Sequence, residues 1–417
     1  MYQLERVVVT GVGLATPIGF DEGTVAEHLF AGRSAIGRLR CLDASLYKSQ
    51  SSAEVDAASF ASAIAARGTR PGDRTSDLAL IAAGKALEQA RLLPATPGSP
   101  GEETCVLVGT GSGPSHALQE SWQTFFTQGG KSLRPTTVPR CMLNAVSSAV
   151  SIQYGLKGTN YVIVSACSSS TIALGIAFRM IRSGDARRVL VVGSESMFTP
   201  ALYASWDNLG VMSRNAEPSR ACRPFDAQRD GFVLGEGAGA LLLEERGAAL
   251  ERGATLRAEV LGFGESSDGT HITRPSVDGQ ALCMRNALRS ARLEPDAVDF
   301  VNAHGTATKA NDATEAEAIR KVFGARTEAL PVNSSKSYFG HLLGAAGIVE
   351  TIASILCLEH GRLHANLNLE EPDPVCNLRL TGLDRLEYPP RVCLKNSFGF
   401  GGSNSTLILA RPSSSPS

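Results

Sequence analysis

The 417-residue sequence predicts an α/β protein whose buried strands alternate with amphipathic helices. Short runs rich in β-branched residues alternate with Ala/Leu-rich segments of helical periodicity along most of the chain. The strand-like runs are almost continuously apolar, which is typical of strands covered by helices on both faces. We therefore expect a layered protein built on a largely parallel sheet.

The strand candidates fall into two series. The first series comprises residues 6–13, 105–111, 161–166, 188–195 and 239–245, and the second comprises 257–264, 299–306, 330–335, 391–397 and 405–410.

The two series resemble copies of one unit. The segments "KALEQARL" (85–92) and "NALRSARL" (286–293) share a helical pattern, and each is soon followed by a proline and the next strand. The alternative is chance, because helices rich in Ala, Leu, Arg and Lys resemble one another. We predict an N-terminal half over 1–252, a C-terminal half over 253–412 and a disordered tail over 413–417.

The first half is the longer one and carries two insertions. They occupy residues 40–68 and 119–140, and segments of this kind usually form lids, substrate walls or subunit contacts. The proline- and glycine-rich stretch 93–103 is expected to be a surface loop.

Composition excludes several classes of partner. The chain has 40 Lys and Arg against 41 Asp and Glu, so no net charge attracts nucleic acid or an anionic membrane. No apolar stretch looks long and uninterrupted enough to span a bilayer. The N-terminus enters a strand directly and lacks the layout of a signal peptide, which favours a cytoplasmic location.

The nine cysteines indicate reduced thiols and no metal site. They are odd in number and scattered, with no CxxC pair and no histidine cluster at metal-ligand spacing.

Candidate reactive residues follow several of the predicted strands. Cys167, His304 and Lys336 each come directly after a strand, and the glycine-rich segment 396–404 ends another. In open α/β sheets ligands gather beyond the carboxyl ends of strands, so we expect these groups to meet in one pocket.

Cys167 has two interpretations. At the first turn of the helix predicted over 168–184 it faces a partial positive charge, which favours a nucleophilic thiolate. Free cysteines are also among the most buried residues, so a simple core position is the alternative.

The other polar candidates have alternatives of the same kind. His304 stands at a turn where an imidazole can reach a ligand, or it can merely cap a helix. Lys336, near His341, can fix the charge state of a histidine or carboxylate if it points into the pocket, although most lysines are solvated. Glu315 can be a partner of His304 or a surface residue.

The segment 396–404 can bring backbone N–H groups close to a bound group. Together with the N–H of Cys167 it can form an oxyanion hole. A P-loop, a GxSxG elbow, a zincin helix and a dinucleotide-binding fingerprint are all missing from the sequence.

Five motifs together resemble the β-ketoacyl-acyl-carrier-protein synthases, and they cover nearly the whole chain in order. The motifs are "SACSSS" (165–170), "PFDAQRDGFVLGEGAGALLLEE" (224–245), "NAHGTATKAND" (302–312), "KSYFGHLLGAAG" (336–347) and "NSFGFGGSN" (396–404). The resemblance is to the elongating type of fatty-acid and polyketide pathways. It implies a thiolase-like fold of two duplicated halves in an αβαβα arrangement, a dimer, and no cofactor beyond the phosphopantetheine arm of an acyl carrier protein.

The resemblance also implies the reaction. Cys167 takes the acyl chain from a carrier thioester, and His304 and His341 promote loss of CO₂ from malonyl-carrier protein. The resulting enolate attacks the acyl thioester and lengthens the chain by two carbons. Phe400 supplies an oxyanion N–H, and Lys336 with Glu315 nearby matches the structural charge network of the family.

Further residues match substrate-binding positions of the family. Thr306 and Thr308 match positions that bind the phosphopantetheine arm, Phe398 lies in the gating loop, and His271 and Thr273 are assigned to the same substrate channel.

Departures from the usual fatty-acid pattern point to the acyl chain. Ser112 stands where a bulky aliphatic gate is common, and Thr136 and Thr137 stand where aromatics often close the tunnel across the dimer. The nucleophile lies in "ACSSS" where "ACTSG" is usual, and Phe339 stands where a threonine is common. Smaller and more polar walls predict a longer, unsaturated or polyketide-like acyl chain.

The predicted partner is an acidic acyl carrier protein, for which Arg74 and Lys131 are candidate docking residues. The chain is expected to form a homodimer, and the alternative is an active subunit paired with a chain-length-factor-like partner. A CoA-dependent thiolase is disfavoured by "NSFGFGGSN" where a second cysteine is needed, and an initiating synthase by the second histidine. A non-catalytic partner subunit or a mere carrier-binding module is disfavoured by the retained Cys167.

Overall fold

The computed structural model describes residues 4–68, 72–382 and 388–413. Its strands are β1 (Val7–Ala15), β2 (Gly37–Arg38), β3 (Ser51–Ala53), β4 (Cys105–Gly109), β5 (Asn160–Ile163), β6 (Arg188–Glu195), β7 (Leu234–Gly235), β8 (Gly237–Glu245), β9 (Ala258–Ser267), β10 (Phe300–Asn302), β11 (Pro331–Asn333), β12 (Arg379–Leu380), β13 (Val392–Gly399) and β14 (Ser403–Ala410). Its helices are α1 (Glu22–Ala31), α2 (Ala57–Ala66), α3 (Arg74–Gln89), α4 (Ser115–Gln128), α5 (Thr137–Cys141), α6 (Ala145–Tyr154), α7 (Ser169–Arg182), α8 (Pro200–Leu209), α9 (Arg246–Glu251), α10 (Val277–Ala291), α11 (Lys309–Phe323), α12 (Lys336–Phe339) and α13 (Ala346–His360).

Each predicted strand candidate corresponds to a strand. The main sheet has the order β12-β11-β10-β13-β14-β9-β1-β8-β6-β4-β5, and β2, β3 and β7 form a separate small sheet. The two halves of the main sheet meet where β1 pairs with β9.

The duplication predicted from the sequence is visible in the strand order. If the major strands of each half are numbered along the chain, both halves have the order 3-2-4-5-1, and their first strands, β1 and β9, lie side by side. The two halves are therefore related by a pseudo-twofold axis between these strands.

The prediction of a largely parallel sheet was wrong, because the sheet is mixed. The central strands from β6 to β13 pair antiparallel, whereas parallel pairs occur only towards the two edges. The central strands are covered on both faces like the edge strands, so continuous apolarity reports burial and not strand direction.

The helices complete five layers. α3 packs on β1 and β8, and α10 packs on β9 and β14, so these equivalent helices cover the outer faces of the two half-sheets. α7 and α13 pack on each other and contact strands of both halves, which places them in the middle layer.

A Gly-x-Gly pair on each first strand permits this packing. A Cβ on Gly13 would lie 1.9 Å from the carbonyl oxygen of Ala82 in α3, and a Cβ on Gly264 would lie 2.3 Å from the backbone nitrogen of Ala287 in α10. Real Cβ atoms do not approach so closely, so both outer helices require glycine beneath them.

The insertions add short elements over the first half. Residues 40–68 contain β3 and α2, and residues 119–140 contain most of α4 and part of α5. Residues 93–103 form turns, as predicted for a surface loop. Of the predicted tail, Ser413 accepts a hydrogen bond from Arg6, and 414–417 lie outside the described residues.

The expectation that no apolar stretch is long enough to span a bilayer was wrong for one segment. Residues Leu343–His360 have a mean hydropathy of 1.4 over 18 residues, enough to cross a bilayer by length and composition. However, 89% of this segment is buried inside the protein, where α13 forms part of the middle layer.

Candidate active site

Cys167 lies between β5 and α7, at the start of the buried helix. The preceding Ala166 has φ of 48°, in the left-handed region that a side chain rarely adopts. Beyond this turn the thiol meets His341, a side chain of the second half of the chain. Cys167 is 7% exposed, so the thiol is reached only through the cavity described below.

His341 is the immediate neighbour of the thiol. Its Nε2 lies 3.1 Å from Cys167 Sγ, and its Nδ1 accepts a hydrogen bond of 3.2 Å from the backbone N–H of Leu343. A neutral imidazole that accepts at Nδ1 carries its proton on Nε2. His341 is therefore held as an N–H donor directed at the sulfur.

His304 is held in the same tautomer by a different group. It follows β10, and Lys336 Nζ lies 3.3 Å from its Nδ1 and 2.5 Å from its carbonyl oxygen. A protonated lysine has only donors, so Nδ1 accepts and the proton is on Nε2. The rings of His304 and His341 are 5.3 Å apart and nearly perpendicular.

Glu315, on α11, fixes the backbone of the His304 turn. Its two carboxylate oxygens each accept a 2.8 Å hydrogen bond, one from the N–H of His304 and the other from the N–H of Gly305. Asn396, on β13, donates to the same carboxylate at 3.1 Å. Glu315 is thus a partner of His304 through the main chain, one of the two alternatives left by the sequence.

The carboxylate paired with Lys336 is Glu350 and not Glu315. Glu350, on α13, accepts from Lys336 Nζ at 2.5 Å, and its other oxygen lies 3.1 Å from Nζ of Lys395 on β13. All three side chains are at most 3% exposed. Sequence reasoning missed Glu350 and Lys395, although each is a charged residue directly after a short apolar run.

Burial keeps both histidines neutral. Burial lowers the pKa of His304 and that of His341 well below the ordinary value, and the nearby charges of Lys336 and Lys395 act in the same direction. Both rings therefore remain neutral N–H donors at physiological pH and below.

The resting state of Cys167 is the thiol. Burial raises the pKa of Cys167 to about 12, while the charge of Lys336 and the backbone N–H of Phe400 oppose this shift. The position of Cys167 at a helix terminus favoured a thiolate. This interpretation was wrong, because desolvation of the buried sulfur outweighs the favourable charges.

The glycine-rich segment forms the turn between β13 and β14 and approaches Cys167 closely. A Cβ on Gly399 would lie 3.0 Å from the carbonyl oxygen of Ser165 and 3.3 Å from the nitrogen of Cys167. The Phe400 ring stacks on Trp206 with 6.1 Å between ring centroids. Trp206 was not a sequence candidate, although it is one of only two tryptophans in the sequence.

A cavity of about 300 Å³ reaches Cys167, His304 and His341. Thr306 and Thr308 line it, with their hydroxyls 2.8 Å apart. The other side chains and glycines along its wall are Trp206, Val211, Phe232, Asp268, Ile272, Thr273, Arg274, Pro275, Ala310, Asn311, Leu343, Phe398, Gly399, Phe400, Gly402 and Asn404.

Four predicted substrate residues lie outside the described lining of this cavity. His271 is exposed, and its Nδ1 accepts from the backbone N–H of Thr273 at 3.1 Å. Ser112 does not project as a gate, because its hydroxyl donates to buried Glu195 at 2.9 Å. Thr136 and Thr137 lie at the start of α5, remote from the chain's own Cys167 cavity.

The two candidate docking residues differ in their environment. Arg74 is paired with Glu236 through two hydrogen bonds of 2.5 and 2.6 Å, and its guanidinium also lies over the ring of Phe60. It is therefore not a free surface cation. Lys131 is exposed in a short 3-10 turn after α4.

Cys167, His304 and His341 could also present a metal-like cluster, since their sulfur and ring nitrogens lie within 4.8 Å of one another. The chemistry of the donor set opposes a metal. Zinc binds an imidazole through the ring nitrogen that has a free lone pair, but here Nε2 of each ring carries the proton and Nδ1 already faces a hydrogen-bond donor. The ammonium group of Lys336 adds electrostatic repulsion for a cation.

Comparisons with known proteins show the family of the chain. The model of the beta-ketoacyl synthase N-terminal domain matches residues 4–249, and that of the C-terminal domain matches residues 257–370. The 3-oxoacyl-[acyl-carrier-protein] synthase 2 of Coxiella burnetii is 39% identical over 409 residues, which cover 97% of this chain and 98% of the relative.

Two solved structures are similar over nearly the full length. The ishigamide ketosynthase/chain length factor gives a TM-score of 0.90 at 32% identity, covering 98% of this chain and 100% of that one. A type II PKS acyl-carrier protein in complex with its ketosynthase bound to the hexaketide gives a TM-score of 0.89 at 29% identity, with coverage of 99% and 100%. The chain belongs to the beta-ketoacyl synthase family.

Proposed function

We propose that this chain is an elongating β-ketoacyl-acyl-carrier-protein synthase. The observation that carries the proposal is the convergence of one thiol and two neutral N–H donors in a single cavity: Nε2 of His341 is 3.1 Å from Cys167 Sγ, and His304 stands beside it. This set can exchange an acyl group and stabilise an enolate without a change of charge on the protein.

The first step is acyl transfer. The sulfur of Cys167 attacks the thioester carbonyl of the acyl-carrier protein, the carbon–sulfur bond to the carrier breaks, and the thiol proton passes to the departing carrier thiolate. The tetrahedral oxyanion lies where the N–H of Phe400, which already donates to Cys167, can bind it. Because the resting group is a thiol, proton removal accompanies the attack.

The second step is decarboxylation and condensation. In malonyl-carrier protein the bond to the carboxylate breaks, CO₂ leaves, and the electron pair forms an enolate at the thioester oxygen. The Nε2–H groups of His304 and His341 donate to that oxygen. The enolate carbon attacks the acyl carbonyl on Cys167, the thioester breaks, and the departing thiolate of Cys167 takes up a proton from water to restore the thiol.

The reaction so described needs neither a metal nor a bound cofactor in this chain. Hydrogen bonds from two neutral imidazoles take the place that a Lewis acid fills in other enolate-forming sites. The tautomers of His304 and His341, fixed through Nδ1 by Lys336 and by the N–H of Leu343, support this assignment.

The acyl chain is proposed to be longer, unsaturated or polyketide-like. The cavity wall near Cys167 is aromatic, with Trp206 stacked on Phe400 and in edge contact with Phe232 at 5.7 Å. Flat rings pack well against conjugated chains. A relative named 3-oxoacyl-[acyl-carrier-protein] synthase 2 and a structural neighbour from a type II PKS leave both fatty-acid and polyketide synthesis as candidates.

The acyl carrier protein is the proposed partner, in the cytoplasm. The mouth of the cavity bears Ile272, which is 71% exposed, and the exposed Arg274. A similar ketosynthase has been solved with its acyl-carrier protein. Lys131 remains a candidate contact for the carrier protein. Arg74 is paired with Glu236, so we propose Arg274 as a contact in its place.

We propose that two copies of the chain pair through the edge of the first half. Tyr161, on edge strand β5, is 58% exposed, and the neighbouring surface carries Phe126 at 77%, Val138 at 69% and Ile152 at 82%. Such a surface is typical of a subunit interface. Thr137 lines an apolar groove of this surface, which supports a position near the second subunit.

The alternative assembly is a heterodimer with a chain-length-factor-like subunit, which the name of one structural neighbour supports. Analytical ultracentrifugation of the purified chain distinguishes the two. A dimer that is active alone supports the homodimer, and a monomer that gains activity only with a partner subunit supports the heterodimer.

Reconstitution tests the function itself. Acyl-carrier protein and malonyl-carrier protein are incubated with the chain, and products are measured by mass spectrometry together with released CO₂. The proposal predicts one CO₂ for each β-ketoacyl-carrier product, two carbons longer than the starting chain. Condensation of two acetyl-CoA molecules without CO₂ release would instead indicate a thiolase.

A further inference from the structure

A second buried ammonium group, which the proposed mechanism does not use, lies behind the catalytic histidines. Lys395 is on β13, directly after the apolar residues 392–394, and its side chain is completely buried. A buried ammonium is costly unless oxygen atoms surround it. Its Nζ lies 3.1 Å from Glu350 Oε2 and 3.3 Å from Thr171 Oγ1, and it also donates to Ser397 Oγ.

Lys395 and Lys336 each contact one oxygen of the same carboxylate, that of Glu350. Glu350 Oε1 accepts from Lys336, and Glu350 Oε2 faces Lys395. If the ammonium of Lys395 were removed, Oε2 would be a buried acceptor without its ion-pair partner, and the carboxylate could rotate towards other donors. The position of Lys336 depends on that carboxylate, and the position of His304 depends on Lys336.

The other contacts of Lys395 reach two further parts of the site. Thr171 is in the first turn of α7, the helix that begins just after Cys167, and Ser397 is on the strand leading to Phe400. The hydroxyls of Thr171 and Ser397 are 2.8 Å apart. One ammonium thus joins the helix behind the nucleophile, the strand of the oxyanion turn and the helix that carries Glu350.

We propose that Lys395 is a positioning residue for the decarboxylation step: its ammonium fixes Glu350, so that Lys336 holds His304 with Nε2–H directed into the cavity. The proposal rests on the condensing function proposed above and deepens it. Lys395 does not touch substrate, because it lies behind the histidines and outside the described cavity lining.

The charges around Lys395 explain how a buried ammonium group is stabilised. Two buried ammonium groups face two buried carboxylates, and Glu315 contributes a favourable interaction with Lys395 in addition to that of Glu350. The titratable groups that interact with it are Glu350 on α13, Lys336 on α12, Glu315 on α11, the neutral His304 and His341, and Cys393 on its own strand.

The arrangement is sensitive to alkaline pH. Burial lowers the pKa of Lys395 to about 8, against the opposing attraction of Glu350. As pH rises through that value, Lys395 loses its proton and Glu350 loses one of its two cationic partners. The decarboxylation rate should therefore fall on the alkaline side, while the two histidines remain neutral throughout.

The test compares Lys395→Met with Lys157→Met, a matched control at a lysine that is 71% exposed and paired with Glu102. Two half-reactions are measured separately on each protein: acyl transfer to Cys167 by intact-protein mass spectrometry, and CO₂ release from malonyl-carrier protein. The pH dependence of CO₂ release is recorded from pH 6 to pH 10 for wild type and both variants.

We expect Lys395→Met to lower kcat for CO₂ release roughly 10- to 100-fold, the scale on which a misplaced catalytic group slows a reaction. KM for malonyl-carrier protein should change less than about threefold, and acyl transfer should fall clearly less than CO₂ release, since acyl transfer does not depend on how His304 is held. The alkaline limb near pH 8 should disappear in this variant and persist in Lys157→Met.

Equal kcat in Lys395→Met and wild type, or an equal loss in both half-reactions, would overturn the proposal. If the variant fails to fold, the pH profile of the wild type decides. A rate of CO₂ release that does not change up to pH 10 contradicts a role for Lys395. If wild type itself releases no CO₂ from malonyl-carrier protein, the proposed function fails instead, so the two failures are distinct.

Discussion

His341 directs a proton at the sulfur of Cys167 across 3.1 Å, because the backbone N–H of Leu343 occupies the other ring nitrogen. The histidine is therefore prepared as a donor and not as a general base for the thiol. The thiol and the imidazoles therefore have two different chemical roles. Cys167 carries the acyl group, and the imidazoles stabilise developing negative charge on oxygen.

The first prediction concerns this separation. Cys167→Ala removes the acyl acceptor and leaves both Nε2–H donors in place, so condensation should be lost by more than about 10³-fold. Release of CO₂ from malonyl-carrier protein should continue within about tenfold of wild type. The two activities are measured side by side as ketoacyl product and CO₂. Loss of both together would mean that the thiol also takes part in decarboxylation.

The second prediction concerns pH. The pKa values of His304 and His341 are lowered below the ordinary 6.5, so the folded protein stays unprotonated at these rings as pH falls through 6.5. The rate of CO₂ release should therefore show no acid limb at pH 6.5. A half-maximal rate close to pH 6.5 would contradict the buried, neutral state of the rings.

The same shifts affect stability. In the unfolded chain both histidines take up protons near pH 6.5, whereas in the folded chain they do not, so the unfolding free energy should decrease as pH falls from 6.5. Denaturant titrations between pH 7.5 and pH 5 measure this slope. It should be smaller in the double variant His304→Ala/His341→Ala, and an unchanged slope would contradict the assignment.

The third prediction concerns the carboxylate beneath His304. Glu315→Gln keeps the shape of the side chain but replaces one acceptor oxygen by an N–H₂ group, which meets a backbone N–H donor. We expect CO₂ release to fall about 10- to 100-fold because the His304 turn shifts. Acyl transfer to Cys167 should change little. Glu317→Gln, on the exposed side of the same helix, is the control and should match wild type.

Much of the fold could be predicted from the sequence, because apolar runs report burial directly. Each predicted strand candidate exists, and the helical pattern shared by 85–92 and 286–293 marks the equivalent outer helices α3 and α10. Strand direction was not predictable, since β8 and β14 are covered on both faces like parallel strands. The short strands β2, just before the first insertion, and β3, within it, have too few residues to show a period.

The candidate site was predictable where a residue follows a strand, and less so where its partner is distant in sequence. The pairing of Lys336 with Glu350 depends on how α13 crosses the middle layer, and no local pattern encodes that crossing. The pKa of Cys167 was misjudged because the helix terminus is a local feature, whereas burial arises from the whole fold. A charge directly after a short apolar run, as at Glu350 or Lys395, was the unused signal.

The fourth prediction concerns acyl selection. If the aromatic wall at Trp206 accommodates long or conjugated chains, acyl transfer to Cys167 should be at least as fast for a long unsaturated acyl-carrier protein as for a short saturated one. Competition between matched acyl-carrier proteins, read by mass spectrometry, measures the preference. Trp206→Ala should weaken it, and a steep fall in rate with chain length in wild type would refute the proposed substrate class.

Trapping the acyl-enzyme tests most directly whether Cys167 carries the acyl chain. In His304→Ala the acyl group should still reach Cys167 but should not be consumed, because the enolate is no longer stabilised. Peptide mass spectrometry after incubation with acyl-carrier and malonyl-carrier protein should therefore find the acyl mass on the peptide that contains Cys167. An unlabelled Cys167 in this variant, with wild type also unlabelled, would contradict the central claim that this thiol carries the growing chain.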